Sequence, residues 1–496
     1  GIATGSGTLI LPKKIQNSVS LGSVFPGILA KDHIGIQYVD NERLASSQLT
    51  NFAPRVGLAY QLDPLTVVRA GYGIFYGGLE SNGGTNLGDN FPFRGQININ
   101  PKSCSLGNCP SNGTTLETGL SAYLGNGILN AVNTPGFHAV DRQIKTPYTM
   151  NYNLSFQRQL TSNLAATISY VGNSSRHLGT YADPNAVRAL YPSGTSTQQY
   201  QPFPDLGGIG TIHYGGVSTY NSLQAKAEKR VSHGLNFLAT YTWAHAMDDT
   251  GSAGGLSTGI GDRQRALIPI IDELTNSVYD VRNRFTLNGN YVLPFGRGRA
   301  YLNNSKWEDE LIGGWSSSLT WVAQSGTPFT VNANNTGVAG ATDSPRANVV
   351  RSPFAPGGSP DPSNTAIAAG GCPTQIRNRT NYYNPCAFAN PLPGNLLTTP
   401  VTDVATAIQY LGGKSNQIYG PGYYGVNMSL FKNFSIWREQ YFQFRADAFN
   451  VFNHPTLANP STHNNSASGG EITGPKNFQS NTPDARFFQL SLKYAF

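Results

Sequence analysis

The stretch FFQLSLKYAF, residues 487–496, decides how the rest of the chain is interpreted. Apolar and aromatic side chains stand at every second position, and most positions between them are small, polar or charged. Because successive side chains of a β-strand point to opposite faces, this rhythm predicts a strand with one apolar and one mostly polar face. The apolar positions are Phe488, Leu490, Leu492, Tyr494 and Phe496.

A strand of this kind at the end of a sequence has two structural explanations. As the last strand of a soluble β-sandwich, its apolar edge would invite aggregation. As the closing strand of a membrane β-barrel, its apolar face is solvated by lipid and its edge pairs with the first strand. We expect the barrel, with the terminal strand also engaging the machinery that assembles barrels in the membrane.

The same alternation returns along most of the chain. Residues 149–170 form a hairpin pattern around a turn at 161–163, and residues 223–243 form another around 232–234. Further strands are predicted at 55–61, 65–76, 285–293, 311–322, 422–432 and 437–450, and a less well patterned one at 33–39. The sequence therefore predicts an all-β, antiparallel, up-and-down transmembrane barrel with about 11 or 12 strands present.

Short and long connections alternate without exception. Short turns are predicted near residues 63, 162, 233, 302 and 434, and long loops near 110, 195, 265, 370 and 468. In an up-and-down barrel alternate connections lie at the same end, so all long loops are expected at one end. Outer-membrane barrels have this asymmetry, with short periplasmic turns and long extracellular loops.

The polar positions between the apolar ones are expected to line a hydrated lumen. Mixed charges in such a row either pair with one another and stiffen the wall or contact a plug or a solute, and pairing is the default interpretation for any single residue. The candidate lumen-facing residues are Gln224, Lys226, Glu228, Arg230, Gln443, Arg445 and Asp447.

Composition fits this architecture and excludes several others. The 496 residues are only 12% charged but 11% aromatic, whereas a disordered chain would show the opposite balance. Mean hydropathy is −0.29, and no run approaches the roughly 18 apolar residues of a membrane helix. The net charge of +7 is scattered and forms no basic patch, so no nucleic-acid partner is expected.

Four cysteines form two local pairs, Cys104 with Cys109 and Cys372 with Cys386. Neither pair has the spacing to histidine that zinc sites show. Both lie in predicted loops rich in Gly, Pro and Asn. We expect a disulfide in each pair, formed in an oxidising compartment, with free thiols as the alternative.

No pattern indicates catalysis or a cofactor. The Gly-x-Ser-x-Gly match at 255–259 lies in a predicted loop and not between a strand and a helix, as a nucleophile elbow requires. Asp248, Asp249 and Asp361 are loop acids that we expect to be solvated and not metal-bound. His454, before a proline, is expected to serve a turn. The sequence therefore predicts a non-enzyme without metal or cofactor.

An ordered series of short motifs resembles the Oar-like TonB-dependent outer-membrane receptors, from about residue 50 onwards. Each motif alone is weak, but their order is specific. The motifs are residues 51–57 (NFAPRVG), 69–76 (RAGYGIFY), 146–148 (TPY), 153–158 (NLSFQR), 220–224 (YNSLQ), 241–243 (YTW), 280–285 (DVRNRF), 293–298 (LPFGRG), 313–315 (GGW), 324–329 (QSGTPF) and 445–455 (RADAFNVFNHP).

The resemblance implies a barrel of about 22 strands, preceded by a plug and an N-terminal carboxypeptidase-regulatory-like domain. Residues 55–496 would then be the C-terminal part of the barrel, and 1–54 a remnant of preceding strands and a loop. The plug and the TonB box would lie upstream of Gly1. Because the sequence opens at Gly1, without Met or a signal peptide, we expect it to be a mature or truncated product that lacks its N-terminal part.

The implied function is energised uptake of a bulky solute, of the siderophore, oligosaccharide or peptide class, across the outer membrane of a Gram-negative cell. Membrane lipid and a TonB-type energy coupler would be its partners. One alternative is a surface or adhesin-type barrel whose long loops bind a partner while nothing crosses. Another is a soluble polysaccharide-binding or hydrolytic β-protein.

Overall fold

β-Strands dominate the computed structural model, which describes all residues except 1–4, 20, 22–24, 41–47, 78–86, 91–92, 94–135, 141–143, 251–266, 297–298, 303–309, 335, 342–344, 438, 465, 467 and 477–484. The strands are β1 (Gly7–Pro12), β2 (Ile34–Val39), β3 (Arg55–Asp63), β4 (Thr66–Tyr76), β5 (Phe137–His138), β6 (Tyr148–Thr161), β7 (Leu164–Ala182), β8 (Ile209–Ser232), β9 (Leu235–Asp248), β10 (Thr275–Asn276), β11 (Asn283–Val292), β12 (Ser316–Gln324), β13 (Pro328–Phe329), β14 (Asn348–Val349), β15 (Phe388–Ala389), β16 (Ile418–Tyr419), β17 (Tyr423–Trp437), β18 (Gln440–Phe449) and β19 (Phe487–Ala495).

Helices are few and short in the described part of the chain. The α-helices are α1 (Phe25–Lys31), α2 (Thr365–Gly370) and α3 (Val404–Leu411). Single 3₁₀ turns occupy Lys13–Ile15, Leu87–Asp89, Gln198–Tyr200, Ile270–Glu273, Pro385–Ala387 and Gly394–Leu396. Among these described residues, none of the helices has the length and hydropathy needed to cross a membrane.

Eleven strands form one antiparallel sheet, which we call the wall. Their order is β3, β4, β6, β7, β8, β9, β11, β12, β17, β18, β19, so each wall strand pairs with the next one along the chain. The short strands β10 and β5 attach to β9 and β8. The wall confirms the predicted all-β, antiparallel, up-and-down architecture.

The wall connections alternate between short and long, as predicted. At what we call the short-turn end, the turn between β8 and β9 consists of His233 and Gly234, both with positive φ (51° and 79°). Such backbone matches the twist of a tight hairpin, and glycine adopts it without strain. The short connections are 64–65, 162–163, 233–234, 293–315 and 438–439; the long ones are 77–147, 183–208, 249–282, 325–422 and 450–486, at the long-loop end.

One predicted turn is misplaced. Residues 433–436 were expected to turn, but β17 continues to Trp437 and the connection lies at 438–439. Asparagine is a common turn residue, which is why a turn is predicted at Asn433. In the strand, its side-chain oxygen instead accepts a hydrogen bond from Gln443 Nε2 at 2.9 Å. The cross-strand amide pair satisfies a polar group that sequence alone assigns to a loop.

Other strand boundaries shift as well. The upper parts of β7 and β8, to Ala182 and from Ile209, lie where a loop was expected, and β12 begins at Ser316 and not at 311. The prediction for 33–39 corresponds to β2, which pairs in parallel with β1 in a separate two-stranded sheet. Phe25 of α1 stacks on Phe137 at 5.9 Å, so this small unit packs at the long-loop end.

The two faces of the wall match the predicted alternation strand by strand. Directly opposed residues share a face, and the cross-strand register keeps apolar residues opposite apolar residues. These outward residues are exposed: Leu490 by 70% and Ile168 by 56%. The soluble sandwich is therefore wrong, because it would bury this face. One outward row reads Leu58, Ala70, Leu154, Tyr170, Leu223 and Trp243.

The wall ends in two edges, β3 and β19. Strand direction reverses at each step across the wall, so the first and the eleventh strand run the same way. Both run from the long-loop end to the short-turn end. Direct pairing of β3 with β19 would thus be parallel. A ring that is antiparallel throughout needs an odd number of further strands between these edges, so the described wall is not by itself a closed antiparallel barrel.

Candidate functional site

The predicted inward residues of β8 lie on the face opposite the apolar rows. Lys226 Nζ and Glu228 Oε2 form an ion pair at 2.8 Å, and both side chains are about half exposed, at 47% and 51%. Gln224 Nε2 donates to Ser222 Oγ at 3.1 Å. Adjacent charges pairing along the row is the arrangement that stiffens a hydrated wall.

The lower part of this row lines a depression of about 270 Å³ near the short-turn end. Glu228 and Arg230 form one side of it, and Arg69 with Gln157 forms the other. Arg69 Nη1 donates to Gln157 Oε1 at 2.7 Å. The depression therefore presents two guanidinium groups and one carboxylate to the lumen.

The second predicted row, on β18, forms its own network. Arg445 Nε donates to both oxygens of Asp447, at 2.8 and 3.0 Å, and Arg445 Nη2 donates to Ser429 Oγ at 2.9 Å. Ser429 in turn donates to Asp447 Oδ1 at 2.5 Å. The structure does not bring the two rows together, because five strand spacings of about 4.8 Å separate β8 from β18.

At the long-loop end the described residues of the connections 183–208, 267–282, 325–422 and 450–476 pack together, and we call them the cap. One hydrophobic cluster joins the last two of these segments, and a second joins the first three. The first cluster is Phe329, Val331, Ala333, Ala347, Tyr382, Tyr383, Ala387, Phe388, Ile418 and Ile472; the second is Leu190, Ile268, Val338, Leu397, Val401, Ala407, Tyr410 and Leu411.

Polar contacts tie the same segments together. Arg346 Nη1 and Glu273 Oε2 lie 2.6 Å apart, with side chains only 5% and 0% exposed. Asn416 Nδ2 donates to the Asn276 backbone oxygen at 2.6 Å, and Asn276 Nδ2 donates to the Asn416 backbone oxygen at 3.1 Å. The cap is thus fixed to strand β10 at the upper edge of the wall. Sequence reasoning missed these pairs, because their partners lie 73 and 140 residues apart.

Two cap tyrosines are held in their neutral form. Burial raises the pKa of Tyr383, whose hydroxyl donates to the Ser461 backbone oxygen at 2.9 Å. Burial and the hydrogen bond to the Asp280 carboxylate raise the pKa of Tyr419. Both hydroxyls therefore act as hydrogen-bond donors within the cap.

The structure joins Cys372 to Cys386 by a disulfide, with Cα atoms 5.8 Å apart. Cys386 is buried beside the first hydrophobic cluster of the cap. The other predicted pair, Cys104 and Cys109, lies outside the described residues, as does the Ser257 motif. The described disulfide links a cap loop to the 3₁₀ turn at Pro385–Ala387.

The terminal strand β19 carries the predicted residues on the outward face. Phe488, Leu490, Leu492 and Tyr494 pair with apolar residues of β18, and Phe496 is 94% exposed. The turn that directly follows β18 contains His454, as expected. Asn450 Oδ1 accepts from the His454 backbone N–H at 3.0 Å, and Asn450 Nδ2 donates to the His454 backbone oxygen at 3.0 Å.

A tyrosine–asparagine cluster on the outward face was not predicted. The Tyr170 and Tyr152 hydroxyls both donate to Asn221 Oδ1, at 2.6 and 3.1 Å. Tyr241 donates to Asn283 Oδ1 at 2.7 Å. Tyrosines with one apolar and one hydrogen-bonded end are typical of the membrane–water interface. The signal in the sequence was an asparagine interrupting each apolar row.

No metal centre is assembled in the described part of the chain. Nowhere in it do three or more His, Cys, Asp or Glu side chains lie close enough together to hold a metal ion. Asp361 is occupied by protein donors: Ser363 donates its backbone N–H at 2.8 Å, and Asn390 donates its backbone N–H at 2.7 Å. Asp248 and Asp249 are buried and not solvated, which corrects the expectation for these acids. Asp249 Oδ1 accepts the Val217 N–H at 2.7 Å.

An antiparallel wall with an apolar outer face, a polar inner face and all long loops at one end defines a transmembrane β-barrel of the outer-membrane type. The sequence model of the outer membrane beta barrel domain family matches residues 11–489. The chain belongs to this family and is located in the outer membrane.

The chain also shows a distant similarity to solved outer-membrane transporters and receptors. The chain is similar to the outer membrane transporter YddB from Escherichia coli (10% identity, TM-score 0.40), covering 86% of this chain and 38% of that one. It is also similar to the siderophore receptor PirA from Acinetobacter baumannii (11%, 0.39), covering 90% and 41%. For the ferric-catecholate import receptor Fiu from E. coli K12 (11%, 0.35), coverage is 89% and 34%. The chain thus spans 34–41% of these structures. No curated protein matches the sequence.

Proposed function

We propose that this chain is the C-terminal part of the barrel of a TonB-dependent outer-membrane receptor, and that the receptor takes up a bulky solute by energised transport. The observation that carries the proposal is the direction of the two wall edges. Eleven strands whose edges run the same way require further strands for antiparallel closure. Barrels much wider than this wall enclose channels or plugged lumens, whereas barrels of about 8 strands are filled by their own side chains.

In this proposal the cap binds the solute first, and the two inward rows contact it in the lumen. With the short turns in the periplasm, the cap lies outside the cell and meets the solute first. The depression beside Glu228 and Arg230 and the Arg445–Asp447 network lie below it on the lumen side. The solute classes compatible with the motif resemblance are siderophores, oligosaccharides and peptides.

The partners follow from the same proposal. A TonB-type coupler would act through a plug outside this sequence, and the assembly machinery would engage β19. Membrane lipid would contact the outward rows.

The test uses the full-length gene expressed in cells with and without the coupler. Accumulation of a labelled ferric siderophore, maltodextrin and oligopeptide is measured in parallel. We expect coupler-dependent uptake of one class, reduced by Asp447→Asn, which disrupts the inward network while keeping side-chain volume. Uptake that is absent for all three classes, or that persists without the coupler, would sink the transport proposal.

A surface barrel that binds a partner and transports nothing is the second candidate. The cap favours it in one respect, because two hydrophobic clusters, a disulfide and a buried ion pair make a rigid binding surface. Binding of whole cells to a partner surface, without accumulation of any solute, distinguishes this function.

A further inference from the structure

The outward face of the wall carries positive charge only. The wall strands contain four carboxylates: Glu228 and Asp447 face inward, Asp248 is buried at the long-loop end, and Asp63 lies beside a tight turn. Asp63 Oδ1 accepts the Leu65 backbone N–H at 2.8 Å. None of these four carboxylates therefore lies along the apolar rows, and the nearest to them is Asp63, whose Oδ2 is 3.6 Å from Arg158 Nη1 at the short-turn end.

Three of the outward cations lie near the short-turn end, while Arg176, opposite Tyr148, lies near the long-loop end. By register, Arg158, Lys229 and Lys432 share the face of the apolar rows, each a few residues from its turn. Lys432 is 5% exposed, covered by the connection before β12, and donates to the Glu310 backbone oxygen. Arg158 and Lys229 are not covered in this way, and they define the accessible pair.

A strip of small side chains runs from beside Arg158 across β7, β8 and β9, one outward position above Lys229, whose direct neighbours Leu164 and Phe237 are large. Ala166 is directly opposite both Arg158 and Ala227, and Ala227 is opposite Ala239, while Lys229 is the next outward residue below Ala227. Two strand spacings, about 10 Å, separate the two basic strands. With the two-residue offset along the strands, about 7 Å, the Cα atoms of Arg158 and Lys229 lie about 12 Å apart, a distance that two long side chains holding one anion between them span.

The charge of neither residue is fully used inside the protein. Arg158 is 58% exposed, with Nη1 3.0 Å from Thr66 Oγ1 and 3.6 Å from Asp63 Oδ2. Lys229 has no ion-pair or hydrogen-bond partner among the described residues. Exposed basic groups at the edge of an apolar membrane face attract lipid phosphates.

We propose that Arg158 and Lys229 bind the headgroup phosphate of an anionic phospholipid in the periplasmic leaflet. The lipid's acyl chain then lies over the alanines, where small side chains leave room against the wall. The leaflet follows from the orientation, since the short turns of outer-membrane barrels are periplasmic. The inference is independent of transport, because it holds equally for a receptor and for a surface barrel.

The experiment measures lipid bound to the full-length protein. Protein purified in detergent is stripped of lipid and incubated with equal amounts of phosphatidylglycerol and phosphatidylcholine, and bound lipids are counted by native mass spectrometry. We expect the natural protein to prefer phosphatidylglycerol. Arg158→Gln with Lys229→Gln should lower this preference roughly thirtyfold, since each basic group near an anionic lipid surface contributes about 1 kcal/mol.

Two matched variants separate the site from net charge. Arg284→Gln with Lys493→Gln removes the same charge from the inward face and should leave the preference unchanged. Arg158→Lys with Lys229→Arg keeps both charges and should retain the preference. Heat-modifiable migration on gels verifies that each variant is folded.

Three results would overturn the proposal. Absence of any preference for phosphatidylglycerol in the natural protein is the first, and it decides the question even where a variant does not fold. The inward control pair could lower the preference as much as the outward pair. In a parallel incubation with lipopolysaccharide, its selective retention through Arg158 and Lys229 would place these residues in the other leaflet.

Discussion

The wall and the cap belong to one chain, but they use apolar residues in opposite ways. In the wall, large side chains such as Leu490 and Ile168 are 70% and 56% exposed, and backbone ladders hold the strands together. In the cap, Tyr383 and Phe388 are 0% and 1% exposed within a closed cluster. The wall has the organisation of a protein solvated by lipid, and the cap that of a protein solvated by water.

Average composition therefore does not reveal that the wall is solvated by lipid and the cap by water. Mean hydropathy of −0.29 describes neither region, because each places its apolar residues on a different side of the backbone. In the cap, polar groups such as the Glu273 carboxylate are buried and paired. On the outward face of the wall an ionised carboxylate would be destabilising, because hydrocarbon contains no hydrogen-bond donor or cation to pair with it.

The largest effect is expected from breaking the buried ion pair of the cap. Glu273→Ala leaves the Arg346 guanidinium buried with its main partner removed, which should lower the cap's free energy of unfolding by about 3–5 kcal/mol. Hydrogen exchange of cap amides measures the change. Replacing both residues, Glu273→Leu with Arg346→Met, should recover much of the loss. A single variant as stable as the natural cap would show that the pair does not hold the segments together.

A second test adds the same charge to both regions at matched exposure. Ile168→Arg places a cation at the lipid face of β7 and should cost about 2–4 kcal/mol near the bilayer midplane. Leu396→Arg in the cap, where the side chain is 58% exposed against 56% for Ile168, should change stability by less than about 0.5 kcal/mol. Unfolding in lipid vesicles, followed by heat-modifiable migration, compares the two. Equal costs would mean that the outward face does not contact hydrocarbon.

Sequence reasoning was strongest where a local rule determines the structure. The two-residue rhythm of β8, with Leu223 outward and Gln224 inward, gave the faces of the wall, because strand geometry alone sets the alternation. It failed at Asn433, where a cross-strand amide pair keeps a turn-like residue in β17. It could not find the Glu273–Arg346 pair, since nothing local marks which distant loops meet. It also could not predict how far apart the two inward rows lie, because the order of the strands in the wall sets that distance and the two-residue periodicity does not.

A third test concerns the close contact between a wall tyrosine and a glycine. A Cβ added at Gly172 would lie 2.3 Å from Tyr152 Cε2, so the ring covers the glycine directly across the strand pair. Gly172→Val should displace the ring and its hydrogen bond to Asn221, at a cost of about 1–2 kcal/mol. Unfolding in vesicles reports the loss, and Gly57→Val, where no atom lies within 4 Å of an added Cβ, is the control. Equal stability of both variants would mean the ring moves freely.

The smallest effect at neutral pH is expected in the cap at Tyr383. Burial raises the pKa of its hydroxyl in the folded state, while the unfolded chain titrates near the ordinary value of about 10. The stabilisation is thus fully present below pH about 10 and is lost as the pH rises above it, because only the unfolded state releases the proton. Tyr383→Phe should flatten this alkaline loss and change little at pH 7, since the Ser461 oxygen also accepts the Gly470 N–H at 3.1 Å. Cap hydrogen exchange across pH 8–11, with exposed Tyr200→Phe as control, measures it. An unchanged alkaline transition in Tyr383→Phe would assign the loss to another group, and a transition in the wall instead would contradict the separation of the two regions.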